Sequence, residues 1–282
     1  MRRPPSPRRA RPAFRPDLDG GRLEGRALLA GLPPGLNLGG LIGQLPPGSL
    51  SQIPGVRGAT PDQMRQILEA IQAGAANEWL QVVMRNVPNP MGILNGFMAG
   101  TRSEYSTRGV AFQLGRYAPG YTGVRQDGME ALMAGAVATG RQRLLLGALV
   151  DGEIPDMGRA QLVFGIDRGG PKRPVAGRAE TMVDALVVVR LDAGRVVSAQ
   201  VRDLAANRVT NLPASGVKVM GATLQVTLDP KLLPSRGLNL GQYRFSFWTV
   251  DDRGGQIASY LPGGKTVPIA VGNASLANLR PA

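Results

Sequence analysis

The amino-acid sequence predicts a mainly β protein: an antiparallel β-sandwich preceded by an irregular, Pro/Gly-rich flank that carries one helix. Three observations predict it. Among 282 residues there are 39 Gly and 23 Pro, breakers that long helices do not tolerate. From about Gly109 onward, short strand-like runs alternate with turn signals, and no helix-period stretch of useful length interrupts them. Several of those runs alternate apolar and polar residues with period two, as strands with one buried face do. Hydrophobic residues make up 43% of the chain, so a core can be built.

Taken in order, the chain divides into a flank (1–59), a helix with its connector (60–104), the sandwich (105–272) and a tail (273–282). The first residues, MRRPPSPRRARPAFRP, concentrate Arg and Pro and read as disordered, with polyproline II character. DLDGGRLEG, from Asp17, has the look of a calcium loop. It lacks the third acidic ligand, where Gly21 stands, and the Glu at the twelfth position, so it reads as a Gly-rich turn. Residues 31–58 repeat LPPG, LPPG and IPGV and read as linker, or as coil laid across another element.

One helix is clearly written. Thr60 serves as N-cap, Pro61 takes the first helical position and Gln63 completes a capping box. Met64, Ile67, Leu68, Ile71, Ala75, Trp79 and Val82 then recur at helical spacing. Such a stripe either packs on the rest of the protein or docks a partner. Packing is favoured, because an exposed stripe of that size invites aggregation.

The strand runs follow at 110–114, 130–138, 143–151, 160–167, 181–191, 195–204, 223–229, 243–251 and 256–261. Turns are expected at Asp192-Ala193-Gly194, Asn211-Leu212-Pro213 and 252–255. In YRFSFWTVD, Tyr243, Phe245 and Phe247 share one face and Arg244, Ser246 and Trp248 the other. In TMVDALVVVRL, Val183, Ala185, Val187, Val189 and Leu191 form the apolar set, with Asp184 and Arg190 opposite. This continuous pattern predicts that 105–272 folds alone.

Composition removes much chemistry. There is no Cys and no His, so Ser-His-Asp triads, Cys-His pairs, zinc sites built on those ligands and His-ligated haem are all excluded. Oxygen-bound calcium and carboxylate catalysis stay open. The acid pair Asp251-Asp252 cannot flank a glycosidic bond, because neighbours on a strand point to opposite sides. No enzyme is expected. The net charge of +13 leaves nucleic acid as a minor partner reading, resting on the basic N-terminus alone. No signal peptide is legible, and 27–43 is too broken by Pro and Gly to span a bilayer as a helix.

The order of several pieces carries a resemblance. Gln126-Asp127-Gly128 precedes a strand; a later strand ends in GEIPD (152–156), the next in GIDRGG (165–170), and GATLQVTLDPKLLPS (221–235) leads into the aromatic strand 243–251. Over roughly 108–270 this resembles the DOMON-like superfamily and family 9 carbohydrate-binding modules. The resemblance implies a β-sandwich in which GEIPD is a corner between strands rather than an active site. It also implies haem or sugar as ligand, and without His the usual axial pair for haem cannot form.

The sugar branch points to Trp248 as a stacking platform, with Arg244, Asp184 and Arg190 as polar neighbours. The competing reading buries Trp248 under the helix or the Pro/Gly coil. Asp151, Glu153, Asp156 and Asp167 are the candidate calcium ligands; the alternative is that they are turn acids. The expected function is a non-catalytic extracytoplasmic or cell-surface binding module for carbohydrate. The alternative is a structural subunit of a surface layer, filament or virion that contacts its neighbours through the N-terminal arm.

Overall fold

The computed structural model describes Trp79 and residues 104–113, 117–118, 120–123, 128–139, 143–175, 178–251, 255–263 and 265–272. The capping box, the rest of the helical stripe, the Arg/Pro flank and the loop at Asp17 lie outside them.

Among the described residues sixteen strands are formed, almost all antiparallel: β1 (Glu104–Thr107), β2 (Val110–Gln113), β3 (Ala131–Thr139), β4 (Arg143–Val150), β5 (Ala160–Asp167), β6 (Arg173–Val175), β7 (Arg178–Val183), β8 (Ala185–Asp192), β9 (Arg195–Asp203), β10 (Arg208–Asn211), β11 (Val217–Met220), β12 (Thr223–Leu228), β13 (Arg244–Asp251), β14 (Ile257–Leu261), β15 (Val267–Pro268) and β16 (Ala270–Gly272). They form two seven-stranded sheets. The first, sheet A, runs β1-β2-β3-β4-β12-β11, with β16 joining β3 in parallel. Sheet B runs β10-β9-β8-β5-β13-β14, with β15 returning to β13. A separate two-stranded ribbon pairs β6 with β7.

Alternation decides what the sheets bury between them. Leu162, Phe164 and Ile166 of β5, Ala185, Val187, Val189 and Leu191 of β8, and Phe245 and Phe247 of β13 turn inward from sheet B, joined by Tyr243 just before β13. Leu144, Leu146 and Val150 of β4 and Leu224, Val226 and Leu228 of β12 meet them from sheet A. Phe164 and Phe247, directly opposite across β5 and β13, pack with ring centroids 4.8 Å apart. Each such ring contributes roughly 1.5–3 kcal/mol by burial. Two hydroxyls tie the sheets together at one end: Thr249 Oγ1 donates to the Met129 carbonyl, and the Ala131 N–H donates to Ser259 Oγ at 3.0 Å.

Most predicted strands appear within a residue or two of their expected bounds, and β5 falls on 160–167 as read. The run at 181–191 does not survive as one strand. It breaks at Asp184 into β7 and β8, so Val183 leaves the inward set and joins a second cluster outside sheet B. The cause is the side chain at the break, which a buried arginine engages. The turn at 192–194 is a two-residue hairpin with Ala193 and Gly194 at φ 46° and 68°. That left-handed pair matches the twist of the strands it joins. GEIPD is a corner: Ile154–Asp156 makes one 3-10 turn with Pro in its first positions. A side chain on Gly194 would run into Pro155, so the hairpin seats directly on that corner. Pro230–Leu232 forms the expected short helical turn after β12, and the Asp229 side chain accepts from the Lys231 N–H at 2.9 Å.

Candidate functional site

Sheet A presents no wet outer face at its centre. Met133 and Val137 of β3 and Leu145 and Leu149 of β4 point away from the inter-sheet core, yet all are buried. Trp79 supplies part of the cover: it is helical, fully buried, and its indole lies where a side chain on Gly147 would stand. The packing reading of the stripe therefore holds at its one described residue.

The outer face of sheet B is built in rungs set by register. One rung is Tyr260–Trp248–Val163–Val188–Gln200; the next is Val250–Gln161–Arg190–Ser198; on the other side lies Ser246–Gly165–Leu186–Arg202. Arg244 stands one rung further, opposite Asp167.

Parity thus puts Trp248 and Arg244 on the same outer face, as expected, but Trp248 is only 5% exposed. Its ring lies nearly parallel to that of Tyr260, centroids 5.6 Å apart. Val175 of β6 and Val183 of β7 close over the pair, together with Val163 and Val188. The Arg178 guanidinium sits 5.0 Å from the Tyr260 ring centroid and donates to the Gly263 carbonyl at 2.9 Å. Burial pushes the Tyr260 phenol up. In this arrangement Trp248 is not an open stacking platform, and among the described residues the β6–β7 ribbon covers it.

Asp184 is fully buried and engaged. Arg168, also fully buried, donates from Nε to Asp184 Oδ1 at 2.7 Å and pairs through NH2 with Asp203 Oδ1 at 3.1 Å. Arg168 continues the inward parity of Leu162, Phe164 and Ile166, and Asp203 continues that of Ala199 and Val201. An ion cluster therefore closes the end of the apolar core. It also pins the segment after β12: Arg168 donates to the Pro234 carbonyl at 3.2 Å, the Leu238 N–H donates to the Arg168 carbonyl at 2.9 Å, and Arg236 reaches Asp203 Oδ2 at 3.1 Å. Burial alone would lower the Arg168 pKa; the hydrogen bonds to Asp203 and Asp184 outweigh it and raise it. Burial likewise pushes Asp203 up, but Arg168, the Ala206 N–H and Arg236 together hold it well below the usual carboxylate range. Asp184 is thereby withdrawn from the ligand set, because every strong interaction it has is internal. Arg190 is exposed on β8, level with Val250 and so six residues along from Arg244, roughly 20 Å at strand rise.

The four calcium candidates are not brought together. Asp151 Oδ1 accepts from the Gly128 and Glu130 N–H groups at 2.9 Å each. Glu153 and Asp156 are exposed on the corner. Asp167 lies at the other end of β5, seven steps or roughly 23 Å away, and pairs with Lys172 at 2.7 Å. Among the described residues no group of three or more acidic side chains could hold a metal ion. Turn acids describe them better, Asp151 and Asp167 each fastening a local loop.

What the structure does assemble around Arg244 is an open groove of 440 Å³. β14 leaves the edge of β13 after Leu261 and β15 rejoins it at Val267, which leaves Pro262, Lys265 and Thr266 beside Arg244. Across the gap stands β1 with its turn, held there because the chain passes from β15 in sheet B to β16 in sheet A within two residues. Gly109, at φ 84°, lets Ala270 approach where a Cβ would clash. Arg108, Arg244 and Lys265 line the groove with Glu104, Ser106 and Thr266. Arg244 is braced by Thr266, donating from Nε to its Oγ1 at 3.0 Å and from NH2 to its carbonyl. Glu104 is held in turn by the Gly263 N–H at 2.8 Å. The sequence reading contained Arg244 but missed Arg108, Lys265, Thr266 and Glu104. Only their charge and polarity were legible; their convergence depends on β1 and β15, which are too short to register as strand patterns.

Among the described residues no helix is long and apolar enough to cross a membrane. No protein-family model matches the chain, and no curated protein matches it either.

Proposed function

We propose that the chain is a non-catalytic binding module for carbohydrate, acting outside the cytoplasm or at the cell surface, with the groove around Arg244 as its ligand seat. The observation that carries this reading is the braced Arg244 in a groove walled by hydroxyls and charges. Its 440 Å³ fall within the about 300–1,000 Å³ typical of small-ligand sites. The DOMON-like and family 9 resemblance supports the same ligand class, and two packed antiparallel sheets are consistent with it. A glycan array probed with the wild-type chain and with Arg244→Gln tests it: glycan binding that the substitution weakens supports the proposal, and absence of any glycan signal removes it.

The structural-subunit reading is favoured by a different observation. β10 is an outermost strand of sheet B; Val209 on it and Val197 on the adjacent β9 are 58% and 60% exposed. An exposed edge strand is a template for pairing with another chain. Sedimentation velocity over a concentration series, on wild type and Val209→Lys, separates the readings: assembly that the lysine abolishes would favour the subunit.

A further inference from the structure

We infer that the groove recognises a negatively charged sugar, a carboxylate-bearing or sulfated residue of an acidic glycan. The inference rests on the binding-module reading and adds the ligand's charge to it. Three cationic side chains, Arg108, Arg244 and Lys265, meet one carboxylate, Glu104, in this groove. Among the described residues none of the three cations is in an ion pair; Arg244 donates to Thr266 and Arg108 to the Gly241 carbonyl at 3.3 Å. Lys265 is exposed. Glu104 is held against the Gly263 N–H rather than by a cation.

Several other cations among the described residues are matched by carboxylates. Arg168 is matched by Asp184 and Asp203, Lys172 by Asp167 and Arg159 by Asp192. The groove gathers three cations that are in no ion pair among the described residues, and a planar guanidinium braced along one side is pre-organised for an oxyanion. A chain at +13 would steer such a ligand from a distance.

The same charges would suit a nucleic-acid backbone, but single strands are bound by combining cations with open aromatic faces. No aromatic side chain lines this groove, and Trp248 and Tyr260 on the same face of sheet B are 5% and 1% exposed. The lining offers hydroxyls and prolines instead, as a single charged pyranose with its hydroxyls requires.

The test uses the full chain and three probes: a short oligogalacturonide, its methyl ester, which keeps the sugar and removes the charge, and a single-stranded oligonucleotide of similar charge. Titration calorimetry should show the acid binding at least about tenfold tighter than the ester, with the affinity falling as salt rises from about 0.05 to 0.5 M. Lys265→Glu, at an exposed position that folding does not need, should weaken the acid about tenfold or more and leave the melting temperature in place. Arg244→Gln should weaken it further. Equal binding of acid and ester, or binding only of neutral glycans on the array, overturns the inference and leaves the carbohydrate reading standing. A tighter complex with the oligonucleotide, lost in Lys265→Glu, overturns it in favour of nucleic acid. No binding by any of the probes or by the array overturns both.

Discussion

The two sheets differ in what lies on their outer faces. β3 and β4 at the centre of sheet A are buried on both sides, apart from the last or first residue. Sheet B is buried on its outer face only where β6 and β7 cover Trp248 and Tyr260; beyond that cover, Arg190, Val197 and Val209 are exposed and the groove at Arg244 is open. The sequences record this difference. ALMAGAVAT and RLLLGALV are continuous apolar runs, the pattern of strands enclosed on both faces, whereas ALVVVRLD and RVVSAQVRD carry Arg190, Gln200 and Arg202 at alternate positions. A sheet enclosed on both sides is a foundation. A sheet that is half covered has surface left to use, and both functional readings fall on it.

If sheet A depends on its outer cover, Trp79→Ala should have the largest effect. It removes a fully buried indole seated on Gly147, and the expected loss is about 4–5 kcal/mol, read by chemical denaturation. By the same argument a chain beginning at residue 105 should melt well below the full-length protein, because it lacks Trp79. A shorter chain that melts with the full-length one would bear out the expectation that 105–272 folds alone.

The ion cluster at the end of the core comes next. Asp203→Asn leaves Arg168 buried with one carboxylate fewer, which should cost about 3–4 kcal/mol near neutral pH. The sign of the pH dependence follows from the direction of the shift. Asp203 is held below its unfolded value of about 3.9, so its contribution is complete above that value and is lost as pH falls towards the depressed folded value. The gap between wild type and Asp203→Asn should therefore be constant from pH 5 upward and narrow on acidification below about 4. A gap that widens in acid would mean that Asp203 is not the stabilised carboxylate.

Trp248→Ala should cost about 3 kcal/mol, the low end for a tryptophan core substitution, because a two-stranded ribbon can settle into part of the space. In a Trp79→Phe background, Trp248 should emit in the blue and resist acrylamide. A red, readily quenched emission would mean that the β6–β7 cover opens and that the stacking-platform reading returns.

How far these differences were legible in the sequence depended on range. Parity along 243–251 separated the inward Tyr243, Phe245 and Phe247 from Trp248, and period two is a local property. The same parity could not tell whether the opposite face was wet, since that depends on what a distant segment lays over it. β6 and β7 were hidden for that reason: 173–175 carries a proline and two exposed residues, and β7 was absorbed into the longer run that ends at 191. Asp184 looked like an outward acid because its partner, Arg168, lies in a loop-like GIDRGG and reads as surface. An arginine that continues the inward parity of an apolar strand was the available signal. The groove was the least legible feature, since it joins β1 to a loop more than 150 residues later, through a hydrogen bond from the Gly263 N–H to the Glu104 carboxylate.

The smallest effect is expected at Arg190, and it tests how the outer face of sheet B is divided. Arg190 shares parity with Trp248 and Arg244, so strand alternation alone would admit it to one ligand site with them. Register separates them: Arg190 stands level with Gln161 and Val250, one rung past Trp248, while Arg244 lies two rungs before it. The covered aromatic pair lies between the two arginines, and roughly 20 Å is too far for one sugar ring to bridge. Arg190 is exposed, and an exposed strand residue away from special features changes stability by no more than about 0.5 kcal/mol. Arg190→Ala should therefore leave both the denaturation midpoint and the affinity for any glycan unchanged, while Arg244→Gln in the same assay weakens binding. If Arg190→Ala weakens binding as much as Arg244→Gln does, the ligand spans the whole outer face. An occupant long enough to cross the β6–β7 ribbon would then replace a single sugar seated in the groove.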